Sequence, residues 1–489
     1  MHQFTLLTDL FQPLEKDNPE RDCLVFLDQR GQISGQYTQE LFYRWAARAA
    51  QSFLEDTAVQ GKTVLMAIAN PERFTLCFAG LMLANAVPAP LAPFTPRQDH
   101  ASFERLKRIL RDDQIDVVVV DNKRAEQTRI LLAEADLESV VVIDFDTLLV
   151  AVPKQEFDPA HLAEAKPTNV AYVQYTSGST SRPKGVALSH SNVLANLSFM
   201  EHVFERKEDV RLACWLPLHH DMGLVGNLLT VLYGRGFAVF MSPTAFLHDP
   251  SIWLSSVHTY RINSAAIPNF ALELCVDRIT PNPDWDLSCW KQIFVGAEPV
   301  NLGALERFSN RFSAVKLDPD ALRPVYGMAE ASLLVAGGRE GFEKCSDKVL
   351  HRPFKNGVTR ALLPFAVQEG IEVIIRDPKT GNLVPEGGEG EIYLKGDSLA
   401  ERYLEGTELS SPHGFASGDL GLLQANNLYI TGRAKDVVIV RGRGLPAEDI
   451  EELLSATLEN VVGGLPSVAV SDHQGVGEEP YLFQEVHRA

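Results

Sequence analysis

Tyr175-Thr-Ser-Gly-Ser-Thr-Ser-Arg-Pro-Lys-Gly185 is a polar loop that directly follows an apolar run, residues 170–174, typical of a β-strand. Its glycines let the backbone turn tightly and bring N–H groups close to a ligand. The hydroxyl side chains add hydrogen-bond donors, and Lys184 adds a positive charge. This combination favours a site for a polyphosphate.

The loop differs from a Walker A sequence. No glycine directly precedes Lys184 and no serine or threonine follows it, whereas a P-loop requires Gly-Lys followed by Ser or Thr. The loop therefore does not predict a P-loop NTPase. On composition alone, a surface turn rich in serine and threonine is the alternative.

Four further segments follow the loop along the chain: Gly296-Ala-Glu-Pro299, Tyr326-Gly-Met-Ala-Glu330, Ser417-Gly-Asp-Leu-Gly421 and Thr431-Gly-Arg-Ala-Lys-Asp436. Together with the loop they resemble, in order, the motifs of the adenylate-forming superfamily. That superfamily holds acyl-CoA synthetases, luciferases and the adenylation domains of peptide synthetases. Five ordered matches over about 260 residues are very specific.

The resemblance implies ATP and Mg²⁺ as cofactors and a role for each motif. The β- and γ-phosphates are expected to be bound by Thr176, Ser177, Gly178, Ser179, Thr180 and Lys184. Adenine is expected between two segments, which are Gly296, Ala297 and Glu298 on one side and Tyr326, Gly327, Met328 and Ala329 on the other. The alternative for Tyr326 is a place in the core.

The resemblance also assigns the ribose, the metal and the hinge. Asp419 is expected to accept both ribose hydroxyls, because one carboxylate can accept two hydrogen bonds. Arg433 is expected near the ribose and the α-phosphate. Glu330 is expected to bind Mg²⁺, a hard cation that prefers oxygen ligands beside phosphates, although a helix N-terminal acid is the alternative. Asp436 matches the hinge.

Activating a carboxylate with ATP needs no protein nucleophile, because the carboxylate oxygen itself attacks the α-phosphorus and pyrophosphate leaves. The protein must position two anions and neutralise the charge that develops. Lys184, Glu330 and Arg433 are therefore the expected catalytic residues.

Pro217-Leu-His-His-Asp-Met-Gly223 is the second informative segment. Adjacent residues point in different directions, so three consecutive metal ligands are awkward. The segment most resembles fatty-acyl-AMP ligases, which pass acyl adenylates to acyl carrier proteins. That resemblance implies a fatty acid substrate, with His220, Met222, Gly223 and Phe270 at the acyl pocket. Ordinary core packing is the alternative for the apolar members.

Composition limits the partners. A net charge of −19 argues against nucleic acid as a binding partner.

The six cysteines lack metal-site spacing and predict buried free thiols in a reducing cytosol. The N-terminus lacks the pattern of a signal peptide. Residues 74–94 contain three prolines, which predicts a buried helix and an extended segment rather than stable membrane insertion. A cytoplasmic protein is expected.

Apolar periodicity predicts an α/β fold. Helical patterns at residues 39–54, 73–84 and 103–111 alternate with strand patterns at 63–67, 117–120 and 140–143. We expect a large N-terminal adenylating domain, residues 1–433, with mixed and parallel sheets flanked by helices. A small β subdomain is expected at about 357–433. The hinge and a truncated small α/β C-terminal domain are expected at 434–489, with a strand at 437–440 and a helix at 446–458.

Two departures from the family pattern leave alternatives open. Only 53 residues follow Asp436, and the family's C-terminal segment with an adenylation lysine is not among them. Slow adenylation is therefore expected, since one preorganised charge is typically worth a few kcal/mol. Fatty-acyl-AMP ligases carry an insertion near residues 338–369 that limits the use of coenzyme A. The 60-residue spacing from Glu330 to Gly390 is intermediate between that branch and ordinary CoA ligases, so an acyl-CoA ligase is one alternative. A catalytically weak adenylate-binding or scaffold protein is the other.

Overall fold

The computed structural model describes residues 4–13, 18–56, 59–93, 100–150, 156–162, 165–176, 183–205, 209–353, 359–434, 437–440, 443–446, 467–472 and 479–484. The chain forms two compact units. The first comprises Met1–Lys344 and Gly396–Ser410, and the second comprises Cys345–Lys395 and Ser411–Ala489. The domain boundary predicted at residue 433 lies just before the predicted hinge residue, Asp436, which is outside the described residues. That boundary therefore stays a prediction.

The α-helices of the described residues all lie in the first unit. They are α1 (Gln39–Asp56), α2 (Pro71–Leu83), α3 (His100–Asp112), α4 (Asn122–Glu134), α5 (Phe145–Val150), α6 (His190–Val203), α7 (Asp221–Gly223), α8 (Thr230–Tyr233), α9 (Pro243–His248), α10 (Ser251–Tyr260), α11 (Asn269–Arg278) and α12 (Leu302–Phe312). A π-helical stretch, Leu224–Leu229, joins α7 to α8. The three helices predicted from periodicity correspond to α1, α2 and α3, each within one turn.

The strands of the described residues occur in both units. They are β1 (Asp22–Leu27), β2 (Ile33–Thr38), β3 (Thr63–Ala67), β4 (Val87–Pro90), β5 (Val117–Val120), β6 (Val141–Asp144), β7 (Val170–Thr176), β8 (Lys184–Ser189), β9 (Arg211–Cys214), β10 (Phe237–Phe240), β11 (Ser264–Pro268), β12 (Gln292–Gly296), β13 (Leu322–Gly327), β14 (Leu334–Gly337), β15 (Leu350–Pro353), β16 (Thr359–Leu362), β17 (Phe365–Ala366), β18 (Ile371–Arg376), β19 (Gly390–Gly396), β20 (Arg402–Tyr403), β21 (Phe415–Gln424), β22 (Asn427–Arg433), β23 (Val437–Val440), β24 (Arg443–Pro446), β25 (Ser467–Asp472) and β26 (Glu479–Gln484).

The first unit contains three sheets. The largest has the order β14-β13-β12-β11-β9-β10-β1-β2 and is parallel from β13 to β1, with an antiparallel strand at each edge. A four-stranded parallel sheet has the order β4-β3-β5-β6, and a three-stranded antiparallel sheet has the order β20-β8-β7. Parallel strands are buried on both faces, which is why β5 is an unbroken valine run. The α/β prediction is confirmed.

The second unit is mainly β. A five-stranded antiparallel sheet has the order β17-β22-β21-β19-β18, and β15-β16, β23-β24 and β25-β26 form separate pairs. Strands occur throughout residues 359–433, where a β subdomain is expected, and the strand predicted at 437–440 corresponds to β23. The predicted helix at 446–458 is wrong at its start, because Pro446 ends β24, and the rest of it lies outside the described residues.

Two predictions about buried segments are confirmed. Helix α2 is buried from Phe74 to Leu83 and is followed by the extended strand β4. All six cysteines are free, and five of them are buried, with Cys289 partly exposed. None of the described helices combines the length and the apolar character that a membrane crossing requires.

Candidate active site

The candidate site lies at the edge of the large sheet where β9, β11, β12 and β13 end. These strands are parallel neighbours, so their carboxyl ends meet at one edge. Ligands of open α/β sheets bind at this edge. The residues predicted for adenine and the acyl chain follow these strands directly, since Ala297 follows β12, Phe270 follows β11, and Tyr326 and Gly327 close β13. The fold therefore collects segments that are far apart in sequence.

Close backbone approach explains the glycine of the Tyr326-Gly-Met-Ala-Glu330 motif. A Cβ on Gly327 would lie 2.0 Å from the carbonyl oxygen of Leu333, a distance that no side chain tolerates. The N–H of Met328 donates to that same carbonyl at 2.8 Å. The turn between β13 and β14 is therefore fixed at the level of the backbone, and it sets the direction in which Glu330 leaves the sheet.

The two segments predicted to flank adenine are held in unusual ways. Ala297 has φ +66°, in the left-handed region that only a few per cent of non-glycine residues occupy. The carboxylate of Glu298 accepts a hydrogen bond from the N–H of Phe270 at 2.6 Å. Burial raises the pKa of Glu298 above its usual range. Glu298 thus ties the end of β12 to the start of α11.

Lys184 and Glu330 are brought together by Tyr403, which sequence reasoning missed. The Lys184 ammonium lies 4.7 Å from the centre of the Tyr403 ring. The Tyr403 hydroxyl donates to Oε1 of Glu330 at 3.1 Å. The next residue, Leu404, donates its N–H to the carbonyl of Gly185 at 2.7 Å. Strand β20 therefore connects the end of the phosphate loop to the candidate metal ligand.

Tyr403 is suited to remain a donor to Glu330. Burial and the neighbouring carboxylate raise its pKa well above the usual range for tyrosine. The hydroxyl therefore keeps its proton at neutral pH. Thr176 pairs with Lys184 across β7 and β8, whereas Ser177, Gly178, Ser179 and Thr180 lie outside the described residues.

Glu330 fits the metal that the resemblance implies. Mg²⁺ usually takes one or two carboxylates and completes its shell with waters and phosphate oxygens. A half-buried carboxylate whose orientation is held by a tyrosine hydroxyl matches that requirement. Across the described residues, no group of three or more His, Cys, Asp or Glu side chains could hold a metal by itself. The donor set therefore suits a metal shared with phosphates.

Helix α6 positions the loop that carries Glu330. Asn196 is fully buried and donates to the carbonyls of Ala331 and Leu334 at 3.1 and 2.9 Å, while its own carbonyl accepts from the Leu334 N–H at 3.1 Å. Asn192, one turn earlier, donates to two carbonyls within residues 397–399 at 2.8 Å each. One helix thus holds both the Glu330 loop and the segment that leads to Tyr403.

The segment 217–223 is shaped by close packing and burial. A Cβ on Gly223 would lie 2.2 Å from the Pro217 carbonyl oxygen, which requires glycine there. The carbonyl of His219 accepts from the side chain of Gln174 at 2.7 Å. Burial lowers the pKa of the His219 imidazole to about 3, so it is neutral at pH 7, and burial raises the pKa of Asp221. His220 is exposed beside them.

An apolar pocket opens at this edge of the sheet. Asp221, Ala297, Tyr326 and Gly327 lie at its mouth. Its walls are Met200, Phe204, Met222, Phe294, Val325 and Leu333. Of the residues predicted for the acyl chain, Met222 lines this pocket, whereas Gly223 packs against the backbone of Pro217. The Phe270 ring is 41% exposed and lies 5.8 Å from Trp215.

Asp419 and Arg433 lie together in the second unit. They occupy paired positions on β21 and β22, and Nε of Arg433 lies 3.5 Å from Oδ1 of Asp419. The Asp419 N–H donates to the hydroxyl oxygen of Ser417 at 3.0 Å, within the same motif. The Asp419 side chain is 16% exposed. Asp436 lies outside the described residues.

Comparison with known proteins agrees with this geometry. Residues 12–404 match the AMP-binding enzyme family. The chain therefore belongs to the AMP-binding enzymes.

Particular relatives narrow the comparison. The chain is 31% identical, over its full length and 86% of the other protein, to a medium-chain-fatty-acid–[acyl-carrier-protein] ligase of Moorena producens. It is 34% identical, over 80% of the chain and 71% of the other protein, to a putative fatty-acid–CoA ligase of Mycobacterium bovis. A solved structure from work on fatty acyl-adenylate ligases of E. coli and L. pneumophila superposes with a TM-score of 0.86 at 25% identity, covering 100% of this chain and 89% of that one.

Proposed function

We propose that this AMP-binding enzyme activates a fatty acid with ATP. A carboxylate oxygen attacks the α-phosphorus, the bond to the bridging oxygen breaks, and acyl-AMP and pyrophosphate form. The observation that carries this proposal is the apolar pocket that opens beside Tyr326. An apolar cavity with a few polar groups at its mouth suits a ligand with a hydrocarbon tail and one polar end. The relatives named as fatty acid ligases support the same substrate class.

Lys184 supplies positive charge for the phosphates in this proposal. Its position over the Tyr403 ring keeps the ammonium near Glu330 before any nucleotide binds. Glu330 would hold Mg²⁺ against the phosphates, and bound Mg²⁺ would supply charge neutralisation as pyrophosphate leaves. Fixed charges that face the developing negative charge lower the barrier because they need no rearrangement during the reaction.

Tyr326, with Gly327, Met328 and Ala329, would hold adenine against Gly296, Ala297 and Glu298. Asp419 would accept the ribose hydroxyls, and Arg433 would lie beside them and the α-phosphate. The ion pair of Asp419 and Arg433 supports this assignment, because it places the two side chains beside each other. The phosphate-loop residues Ser177–Thr180 complete the proposal on the resemblance alone, as does the hinge residue Asp436.

The mouth of the pocket would admit the substrate carboxylate. Asp221 lies at this mouth, and burial raises its pKa above the usual range for a carboxylic acid. His220 is exposed next to it and is the nearest candidate to contact that carboxylate. Met222 would contact the first methylene groups of the chain, since it lies on the pocket wall just inside Asp221.

The acceptor of the acyl group is proposed to be an acyl carrier protein. The relative from Moorena producens, which matches this chain over its full length and whose name specifies that acceptor, supports this choice of acceptor. Coenzyme A is the second candidate, and the relative named as a putative CoA ligase favours it. The two candidates share the adenylation step and differ only in the thiol that attacks acyl-AMP.

The first experiment measures acid-dependent release of pyrophosphate from ATP and Mg²⁺ with acetate, benzoate and a series of saturated fatty acids. We expect release with fatty acids, and loss of most of it in Lys184→Ala and Asp419→Ala. The matched controls are Lys291→Ala and Asp347→Ala, which remove exposed side chains away from the proposed motifs and should leave release unchanged. Release that is independent of fatty acid would contradict the proposal.

The acceptor is tested by adding either a phosphopantetheinylated carrier protein or coenzyme A to the same reaction. Acyl thioester on the carrier protein is the expected product. Product with coenzyme A alone would replace the first candidate by the second, while the adenylation step would stand.

A further inference from the structure

The apolar pocket ends at a stacked aromatic pair. Phe204, at the end of α6, and Phe294, on β12, stack with ring centres 3.8 Å apart and an interplanar angle of 25°. Both side chains are at most 5% exposed. They line the same pocket whose mouth is formed by Ala297 and Tyr326. The pair therefore lies where the far end of a bound hydrocarbon chain would reach.

The depth of the pocket follows from the sheet. Phe294 lies on β12 and Ala297 directly follows that strand, three residues later; a strand rises about 3.3 Å per residue, so the pair lies at most about 10 Å from the mouth along the strand. Register places Ala266 and Phe294 side by side, so both face the pocket. An extended alkyl chain, with C–C bonds of about 1.5 Å, advances about 1.3 Å per carbon. The depth therefore accommodates about eight carbons.

The aromatic pair is fixed from behind. A Cβ on Gly338 would lie 2.6 Å from the Phe204 ring, so the backbone that follows β14 leaves that ring no room to withdraw. The side chain of Gln292 donates to the carbonyl of Phe204 at 2.6 Å. Rotation of Phe204 away from Phe294 would therefore require movement of the sheet or of the helix end.

Polar groups follow directly behind the pair. Gln292 precedes Phe294 by two residues on the same face of β12. Arg323 is paired with Phe294 in the register of β12 and β13, and donates to the carbonyls of Gly338 and Arg339 at 3.2 and 3.0 Å. A longer alkyl chain that passed the pair would desolvate these groups, which is unfavourable.

We infer that the Phe204–Phe294 pair closes the pocket and sets the upper limit of chain length, so that the substrates are medium-chain saturated acids of about eight carbons. This inference rests on the proposed fatty-acid adenylation and specifies its substrate. Each methylene buried up to the limit raises kcat/KM about fourfold. Beyond the limit the gain stops and then reverses, because a further methylene meets the aromatic pair.

The test compares kcat/KM for butyrate, octanoate, dodecanoate and hexadecanoate in the wild type, Phe294→Ala and Phe204→Ala. The wild type should prefer octanoate. Removing either ring should raise the ratio of dodecanoate to octanoate at least tenfold. A ratio within one variant does not depend on how much of that variant is folded, so partial misfolding does not obscure the result.

A variant with the opposite effect completes the test. Ala266 lies on β11, the neighbouring strand of the same sheet, at the level of Phe294. Ala266→Leu fills the pocket there and should raise the ratio of kcat/KM for butyrate to that for octanoate. A wild type that prefers hexadecanoate, or unchanged ratios in both truncated variants, would overturn the inference. Absence of pyrophosphate release with every acid would instead reject the proposed function, so the two failures are distinguishable.

Discussion

Tyr403 links the two charged groups of the candidate site through both parts of its side chain. The ring lies under the Lys184 ammonium, and the hydroxyl binds Glu330. These two contacts can be separated by substitution, because phenylalanine keeps the ring and loses only the hydroxyl. Tyr403 is proposed to position both groups rather than to contact the reacting atoms.

Tyr403→Phe should raise the Mg²⁺ concentration for half-maximal activity about tenfold, since a hydrogen bond to a charged group contributes about 1.5 kcal/mol or more. Tyr403→Leu should show the same change and also a severalfold rise in KM for ATP, because the cation–π contact is lost too. Pyrophosphate release, titrated separately with Mg²⁺ and with ATP, measures both effects.

The control for Tyr403 is Tyr260→Phe. Tyr260 lies at the opposite end of the strands of the large sheet, beside the start of β9. Its carbonyl accepts a hydrogen bond from the guanidinium of Arg211 there. That variant should leave both titrations unchanged. If Tyr403→Phe lowered the rate uniformly without altering the Mg²⁺ dependence, the hydroxyl would have no role in positioning the metal ligand.

At the level of elements, helix α6 is more than a packing helix. Its buried asparagines hydrogen-bond to backbone groups of two segments, residues 331–334 and 397–399. Buried backbone groups that lose their partner cost about 1–3 kcal/mol each. The placement of Glu330 therefore depends on amide side chains on a different element.

Asn196→Leu should destabilise the protein by about 3 kcal/mol, because a side chain of similar size removes three buried hydrogen bonds to the backbone of residues 331–334. Asn310→Leu is the matched control, since it makes the same change at an exposed position within helix α12. Thermal unfolding followed by circular dichroism compares the two. Equal melting temperatures would show that the loop finds other partners for its backbone.

Regular elements were predictable where one residue type dominates. The strands β3 and β5 occur where the apolar runs place them, and α2 ends close to the predicted position, because burial on both faces imposes unbroken apolar sequence. The motif residues of the large sheet also follow its strands as expected. The local sequence is sufficient to predict these features, because each depends on residues that are close together in the chain.

The supporting residues could not be predicted, because their contacts are long-range. Tyr403 is separated from Glu330 by 73 residues, and Asn196 from Ala331 by 135. A polar residue inside a helix pattern, or a tyrosine in a two-residue strand, has no local feature that distinguishes a structural role from an exposed one. Likewise Pro446 suggests a helix start by type, whereas pairing with Val437 places it in a strand.

For the whole molecule, two histidines whose pKa is lowered by burial, His190 and His219, couple stability to pH, and His190 can be tested separately from the candidate site. His190 is 5% exposed, and its Nδ1 accepts the N–H of Leu7 at 3.0 Å, which fastens the N-terminal segment to α6. Burial lowers its pKa from 6.5 to about 4, although Asp9 opposes the shift. Between these two values the unfolded chain binds the proton more readily than the folded chain.

Stability should therefore fall as the pH decreases from about 6.5 towards 4, with up to about 3 kcal/mol lost through this group. His190→Asn keeps an acceptor for Leu7 and cannot titrate, so it should flatten this part of the curve. The exposed His413→Asn is the control. Urea unfolding midpoints at several pH values provide the measurement, and parallel curves for His190→Asn and the wild type would contradict the assignment.

One helix also constrains any attempt to redesign this protein. The start of α6 holds the loops of Glu330 and Tyr403, while Met200 and Phe204 at its end line the apolar pocket. A substitution that enlarges the pocket by shifting the helix would displace Glu330, the proposed metal ligand, at the same time. A broader substrate range is therefore best sought by shortening side chains on β11 and β12, because those substitutions leave the contacts between helix α6 and the Glu330 loop unchanged.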